Sequence, residues 1–153
     1  MRVILGSQSP RRRELMRGLD YPFECITINA DETYPHSLRG GDIPIYISRA
    51  KARAYAKQLG EDELLITADT IVWVNGEMLG KPHSEEQARE MLRKLSGCTH
   101  RVFTGVTFLY QGRYESFVDE TQVTFKNLSE KEIDYYIRTY RPFDKAGAYG
   151  VQE

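Results

Sequence analysis

The sequence predicts an α/β fold, and three patterns predict it. Apolar, β-branched runs at 3–5, 23–28, 64–74, 101–110 and 113–126 read as strands, and amphipathic segments at 11–19, 43–59, 84–95 and 129–140 read as helices. The two kinds of element alternate through most of the chain. At 153 residues, the chain suits one domain, or one domain with a subdomain, and can bury a sizeable core. A formal net charge of -1 provides no global field to draw in nucleic acid, and no apolar run approaches the roughly 18 residues of a membrane span. Cys25 and Cys98 lack the spacing of metal ligands and read as free thiols of a reducing cytoplasm.

Val3-Ile4-Leu5 is a short buried strand, and Gly6-Ser7-Gln8-Ser9 turns the chain into a helix with Ser9 as N-cap and Pro10 at its first position. Leu15, Met16 and Leu19 form a small apolar face, and at about 100° per residue Arg12 projects along its middle, one turn earlier. Arg11, Arg12 and Arg13 load the first turn with cations, the wrong sign for a helix N-terminus by some ~0.3–1 kcal/mol each. An anionic ligand would reverse that penalty, and Gly6, Ser7 and the free helical N–H groups make a phosphate cradle. A solvated basic turn is the plainer alternative, but Arg12 on the apolar side fits it poorly.

The run at 23–28 is a second strand, and the polar stretch 29–42, with Pro35, Gly40 and Gly41, is a loop containing Asp31 and Glu32. In the helix at 43–59, Ile43, Ile47, Ala50 and Ala54 line one face, and Lys51 borders it. The bland reading of Lys51 is a stem lying on apolar surface with its head in water. The run at 64–74 carries Asp69 inside a strand-like apolar pattern and breaks at Asn75-Gly76, a hairpin signal. Burying an unpaired polar group costs on the order of 2–7 kcal/mol, so Asp69 either meets a partner or faces a cleft. Gly80-Lys81-Pro82 then presents a cation between two backbone punctuators.

Ser84 to Gln87 and Ser129 to Glu132 are capping boxes opening two amphipathic helices. Between them the strands at 101–110 and 113–126 turn at Gln111-Gly112, with the single His100 just ahead, where a bonded edge residue is the ordinary expectation. Tyr136 and Tyr140 read as core. Ala146-Gly147-Ala148 and Gly150 are small enough for backbone to approach a neighbour closely.

Arg11, Arg12, Lys51 and Lys81 are the recurring cations, and Asp69 and, more weakly, Glu32 the acids that stand out. Such cations beside a phosphate-friendly helix start point to a polyphosphate. Carboxylates without thiol or paired histidine ligands point to Mg2+ or Mn2+ rather than zinc. The chain has no P-loop, no nucleophile elbow and no spaced Cys/His pair. Hydrolysis by an activated water is the economical chemistry, with Asp69 taking the proton or holding the metal.

Leu5-Gly6-Ser7-Gln8-Ser9-Pro10-Arg11-Arg12, Lys51-Ala52, Ala68-Asp69-Thr70-Ile71-Val72 with Leu79-Gly80-Lys81-Pro82, Leu95-Ser96-Gly97 with His100, and the closing run from Asp144 through Lys145-Ala146-Gly147-Ala148-Tyr149-Gly150-Val151 to Gln152 occur in that order. Together they resemble the Maf family of nucleoside triphosphate pyrophosphatases across essentially the whole chain. The resemblance implies a cytoplasmic enzyme with a central mixed β-sheet flanked by helices, related in fold to the inosine triphosphate pyrophosphatases. It implies cleavage of a nucleoside triphosphate to the monophosphate and pyrophosphate with a divalent metal, often as a homodimer. The family's catalytic Asp falls on Asp69, its phosphate-site cations on Arg11, Arg12, Lys51 and Lys81, and Ser7 on the loop; Glu32 is a further candidate for the metal. Thr70 and Gln152 resemble the dTTP/UTP branch rather than the 7-methyl-GTP branch, and Arg11, Thr70 and Gln152 would bear on base choice. The carboxamide of Gln152 can both donate to and accept from a uracil or thymine edge. Gly6 and Glu153 depart from the residues many members carry. The family continues past the Gln motif, so the expectation is one Maf-like domain over 1–153 lacking that last segment. A nucleotide-binding regulator linked to septum formation is the alternative of a different class.

Overall fold

The computed structural model describes residues 1–150. Six strands and four helices follow one another as β1 (Arg2–Leu5), α1 (Pro10–Arg17), β2 (Phe23–Cys25), α2 (Asp42–Tyr55), β3 (Glu63–Val74), β4 (Glu77–Leu79), α3 (Glu85–Leu95), β5 (Thr99–Tyr110), β6 (Arg113–Thr124) and α4 (Glu130–Tyr140), with single 3-10 turns at Ala56–Gln58 and Ala146–Ala148. The strand order is β2-β1-β3-β5-β6, with β4 paired to β3. β1 runs parallel to both β2 and β3, while β4 runs antiparallel to β3, so the sheet is mixed as expected. The β3–β4 turn falls on Asn75 and Gly76, both at positive φ, as a two-residue hairpin of right-handed strands requires.

The chain divides into two compact units: Met1–Asp69 with Thr104–Asp119, and Thr70–Phe103 with Glu120–Glu153. The first unit is built on β1 and the opening half of β3. Ile4, Ala52, Leu65 and Leu109 form its core, with Ile26, Ile28 and Tyr55 packed around them. In the second unit Val72, Val74, Leu79 and Leu95 form one cluster, and Ala88, Leu92, Ile133, Ile137 and Ala148 another, where α3 meets α4.

The helix ends follow the sequence closely. Ser9 caps α1 by accepting from Arg12 N at 3.3 Å, and Pro10 opens it. Ser129 and Glu132 make a complete, reciprocal capping box at α4. At α3, Ser84 accepts from Gln87 N while Gln87 Oε1 accepts from His83 N, one residue outside the expected box.

Three helix faces depart from expectation. α1 buries none of its residues, and Leu15 and Leu19 are exposed. An eight-residue helix is held by its cap and by Arg12, not by an apolar stripe. On α2 the buried residues are Ile43, Pro44, Ile47, Ser48 and Ala52, while Ala54 is exposed, so the inner face is rotated toward Ser48. A serine can face inward there because its hydroxyl is satisfied: Ser48 Oγ bonds Thr107 Oγ1 at 2.7 Å. On α4, Tyr136 is half-buried, but Tyr140 is exposed and stacks on it with ring centroids 5.0 Å apart.

Candidate active site

The site of the first unit starts where β1 ends. Gly6 N still bonds Ile66 O at 2.9 Å, so the Gly6-Ser7 loop leaves alongside β3. Ser7, nearly buried, accepts from Ser9 N at 3.1 Å and from Arg12 Nη1 at 3.4 Å. Arg12 is thereby fixed at its backbone by Ser9 and at its head by Ser7. The same Nη1 donates to the carbonyl of Ala68 at 3.1 Å.

Lys51, on α2, reaches the same carbonyl. Its Nζ donates to Ala68 O at 3.0 Å, and lies 3.5 Å from Asp69 Oδ1 and 3.3 Å from Glu32 Oε1. Lys51 is therefore not a solvated stem; two carboxylates and a carbonyl hold its ammonium. A chain of buried hydroxyls sets the register of helix against strand. Thr67 Oγ1 donates to Ser48 O at 2.7 Å, and Ser48 continues through Thr107 to Ser116. Thr67 stands two residues before Asp69 on the same side of β3, and Ser48 nearly one helical turn before Lys51. That single bond thus ties together the two elements that carry the pair.

Asp69 lies in the middle of an uninterrupted strand and is only half served by its surroundings. Oδ1 faces Lys51, whereas Oδ2 is buried and has no hydrogen-bond partner among the described residues. Burial pushes its carboxyl above the usual carboxylate range; Lys51 and Arg12 pull the other way, and Glu32 adds to the rise. The cations by themselves would depress the value, but desolvation outweighs them. Burial likewise lowers the Arg12 guanidinium from its usual range, against the attraction of Asp69 and Glu32.

The donor set suits a hard divalent ion. Asp69 Oδ2 has its lone pairs unused among the described residues, and Glu32, 60% exposed at its side chain, shares the Lys51 ammonium with Asp69 Oδ1. Magnesium commonly takes one or two carboxylates plus phosphate oxygens and water, rather than an all-protein cage. No group of three or more His, Cys, Asp or Glu side chains suited to a metal occurs among the described residues.

Residues 2–153 match the model of the family described as Maf-like protein. The chain belongs to the Maf family. It is 54% identical over 153 residues to a dTTP/UTP pyrophosphatase of Phocaeicola vulgatus, an alignment covering 99% of this chain and 79% of that protein. It is 55% identical over 152 residues to a dTTP/UTP pyrophosphatase of Bacteroides thetaiotaomicron, with 99% and 79% covered. Among solved structures, the Staphylococcus aureus Ham1 protein shares the fold at TM-score 0.55 and 17% identity, covering 80% of this chain and 70% of that one.

In this Maf chain, Arg12 contacts Ser7, Lys51 contacts Glu32 and Asp69, and the two cations meet at the Ala68 carbonyl. Arg11 is exposed and lies 3.9 Å from Glu14 on its own helix. Thr70 follows Asp69 in β3 and so points to the opposite side of the strand. Lys81 is exposed in the second unit, directly after Gly80, whose carbonyl accepts from Gly147 N at 3.0 Å. Gln152 lies outside the described residues. What sequence reasoning missed is the Ala68 carbonyl, on which both cations converge; a backbone acceptor leaves no trace in residue type. It also missed Ser48 and Thr67. Their only signal is a hydroxyl inside each apolar pattern.

Proposed function

We propose that this chain is a dTTP/UTP pyrophosphatase that cleaves its substrate to the nucleoside monophosphate and pyrophosphate with a divalent cation. The observation that carries the reading is Asp69: a buried carboxylate with one oxygen unused, flanked by two cations that share one backbone carbonyl. A lone structural Asp would be paired on both oxygens; this one is arranged to receive something. The activity for which the relatives are named, at about half identity over nearly the whole chain, supplies the substrate class.

In this reading a water attacks the α-phosphorus, the bond from that phosphorus to the bridging oxygen breaks, and the electron pair leaves with pyrophosphate. Asp69 accepts the proton of the attacking water or holds the metal that activates it. Arg12 and Lys51 bring desolvated positive charge to the phosphate oxygens, where charge shifts as the bond breaks. Ser7 and the first turn of α1 hold the phosphate chain. Asp69 and Glu32 would hold the divalent ion, which supplies Lewis acidity and lowers the pKa of water. Thr70, Gln152 and Arg11 bear on the base, and Lys81 on phosphate. The chain would work in the cytoplasm, where Cys25 and Cys98, both free, persist as thiols.

The test is pyrophosphate release from a nucleotide panel with Mg2+ or Mn2+. Turnover of dTTP and UTP is expected, and Asp69→Asn should abolish it while nucleotide still binds. A folded protein that turns over neither nucleotide would overturn the assignment, and an active Asp69→Asn would reduce Asp69 to a structural residue.

A further inference from the structure

A line of hydrogen bonds crosses the first unit toward the strand that carries Asp69. Arg49, half-buried on α2, lies over the ring of Tyr114 at 5.2 Å and donates from Nη1 to Ser116 Oγ at 3.1 Å. Ser116 Oγ meets Thr107 Oγ1 at 2.8 Å, Thr107 Oγ1 meets Ser48 Oγ at 2.7 Å, and Ser48 Oγ donates to Ile45 O at 3.0 Å. Each hydroxyl has a single proton, which fixes the direction of the whole line. Ser48 gives its proton to a carbonyl, so Thr107 donates to Ser48 and Ser116 donates to Thr107. Ser116 then accepts from Arg49, which can only donate. The backbone of Ser48 completes the line, because its carbonyl accepts from Thr67 Oγ1 at 2.7 Å. Ser48, Thr67 and Thr107 are fully buried. All these residues lie in the first unit, as do Lys51 and Asp69.

Packing alone does not ask for these hydroxyls. Alanine at 48 and valine at 67 and 107 would occupy nearly the same space. Exchanging both partners of a buried hydrogen bond for apolar groups of that shape is close to neutral for stability. What apolar contact does not supply is direction. α2 needs direction because its first turn rests on bare backbone of β5: a Cβ on Gly105 would come within 2.5 Å of Pro44 C and 2.6 Å of Ile45 N. Gly105 has no side chain to interlock there and stop the helix sliding or turning. One turn later Thr107 of β5 and Thr67 of β3 both bond Ser48, and together they fix the helix in rotation and along its axis. Ser48 stands three residues before Lys51 on the same side of α2, and Thr67 two before Asp69 on the same side of β3. The Thr67–Ser48 bond is therefore one step from the place where Lys51 Nζ meets Ala68 O at 3.0 Å and Asp69 Oδ1 at 3.5 Å.

We propose that Thr67, Ser48 and Thr107 are positioning residues: their hydroxyls hold α2 in one register on β3, place the Lys51 ammonium against Asp69 and Ala68, and so set the rate of cleavage rather than the stability of the unit. The inference rests on the reading of Asp69 and Lys51 above and extends it to Thr107 on β5. A shift of about 1 Å at a reacting group costs on the order of 10²-fold in rate, so a small slip of the helix is enough.

Steady-state kinetics with dTTP and UTP in Mg2+, a melting curve for each protein and a crystal structure of Thr67→Val test it. Thr67→Val should lower kcat about ten- to a hundredfold with KM within about twofold of the parent, and Thr67→Ser, which keeps the hydroxyl, should return kcat to within about threefold. Ser48→Ala combined with Thr107→Val should lower kcat by a similar factor while the melting temperature stays within about 4 °C of the parent. In the crystal of Thr67→Val the Lys51 ammonium should stand away from the Ala68 carbonyl. An unchanged kcat in Thr67→Val, a loss that Thr67→Ser does not restore, or a double variant whose kcat falls only as its melting temperature does would overturn the proposal. Should Thr67→Val not fold, the double variant carries the same kcat and crystallographic expectations. A parent protein inactive on dTTP and UTP would instead defeat the functional reading. The crystal structure then decides the register by itself, and Nζ still 3.0 Å from Ala68 O would overturn it.

Discussion

Two carboxylate–cation pairs in this chain do opposite things. Arg89 on α3 and Asp134 on α4 meet at 2.6 Å, with Glu85 and Glu86 close by, and the arginine holds the Asp134 carboxyl below its usual range. Lys51 and Asp69 stand 3.5 Å apart, and the Asp69 carboxyl lies above its usual range. The side chains of the first pair are 22% and 37% exposed, those of the second 16% and 15%. Water screens the helix pair, and neither side chain has a buried atom without a partner among the described residues. At the site, burial removes the solvation that ionised Asp69 would have, while Lys51 is shared among three acceptors and cannot compensate. The pair that joins two helices is closed on itself; the Lys51–Asp69 pair leaves one carboxylate oxygen without a partner among the described residues.

The sharpest way to break this comparison is Asp69→Asn. Loss of turnover on the order of 10²–10⁴-fold is expected from removal of a general base, together with a higher melting temperature at neutral pH. The sign follows from the raised folded-state pKa. Between the ordinary carboxylate pKa and the folded one, the folded state binds more protons, so ionisation of Asp69 costs stability as pH rises, and a neutral amide avoids that cost. A differential scanning measurement showing destabilisation instead would make Asp69–Lys51 a stabilising pair like the other. Next in size, Lys51→Met should lower kcat on the order of 10²–10³-fold, as loss of one charge-stabilising donor does. An effect confined to stability would place Lys51 with Arg89.

A smaller effect concerns pH. The folded pKa of His100 lies below its ordinary 6.5, so its contribution to stability is complete above that value and is lost as pH falls through the folded pKa. Thermal melts should show a decline on that side that His100→Phe flattens. Smallest of all, Arg89→Ala should leave kcat unchanged and shift the melting temperature by no more than about 2–4 °C, as exposed pairs do. Kinetic sensitivity to Arg89 would dissolve the distinction between the two pairs.

Much of the fold was legible in the sequence because its signals are local. Ser9-Pro10, the Ser129–Glu132 box and Asn75-Gly76 each specify their geometry within four residues. The strand at 64–74 was legible from its apolar run, and Asp69 from the cost of interrupting it. The inner face of α2 was not, because Ser48 becomes a core residue only once Thr107 is there to satisfy it. The apolar residues of α1 pointed to burial that does not occur. Periodicity reports which side is apolar, not whether anything covers it.

The sequence by itself determined the Maf family, the order of the elements, and the set of charged residues from which the site is drawn, since residue type and spacing carry that information. Only the tertiary structure decided that Arg12 and Lys51 share the Ala68 carbonyl, that Asp69 keeps one oxygen unpaired among the described residues, and that His100 bonds Tyr149. The physical reason is that desolvation and hydrogen-bond satisfaction belong to the space around a group. The groups that fill that space here lie between 17 and 56 residues away along the chain.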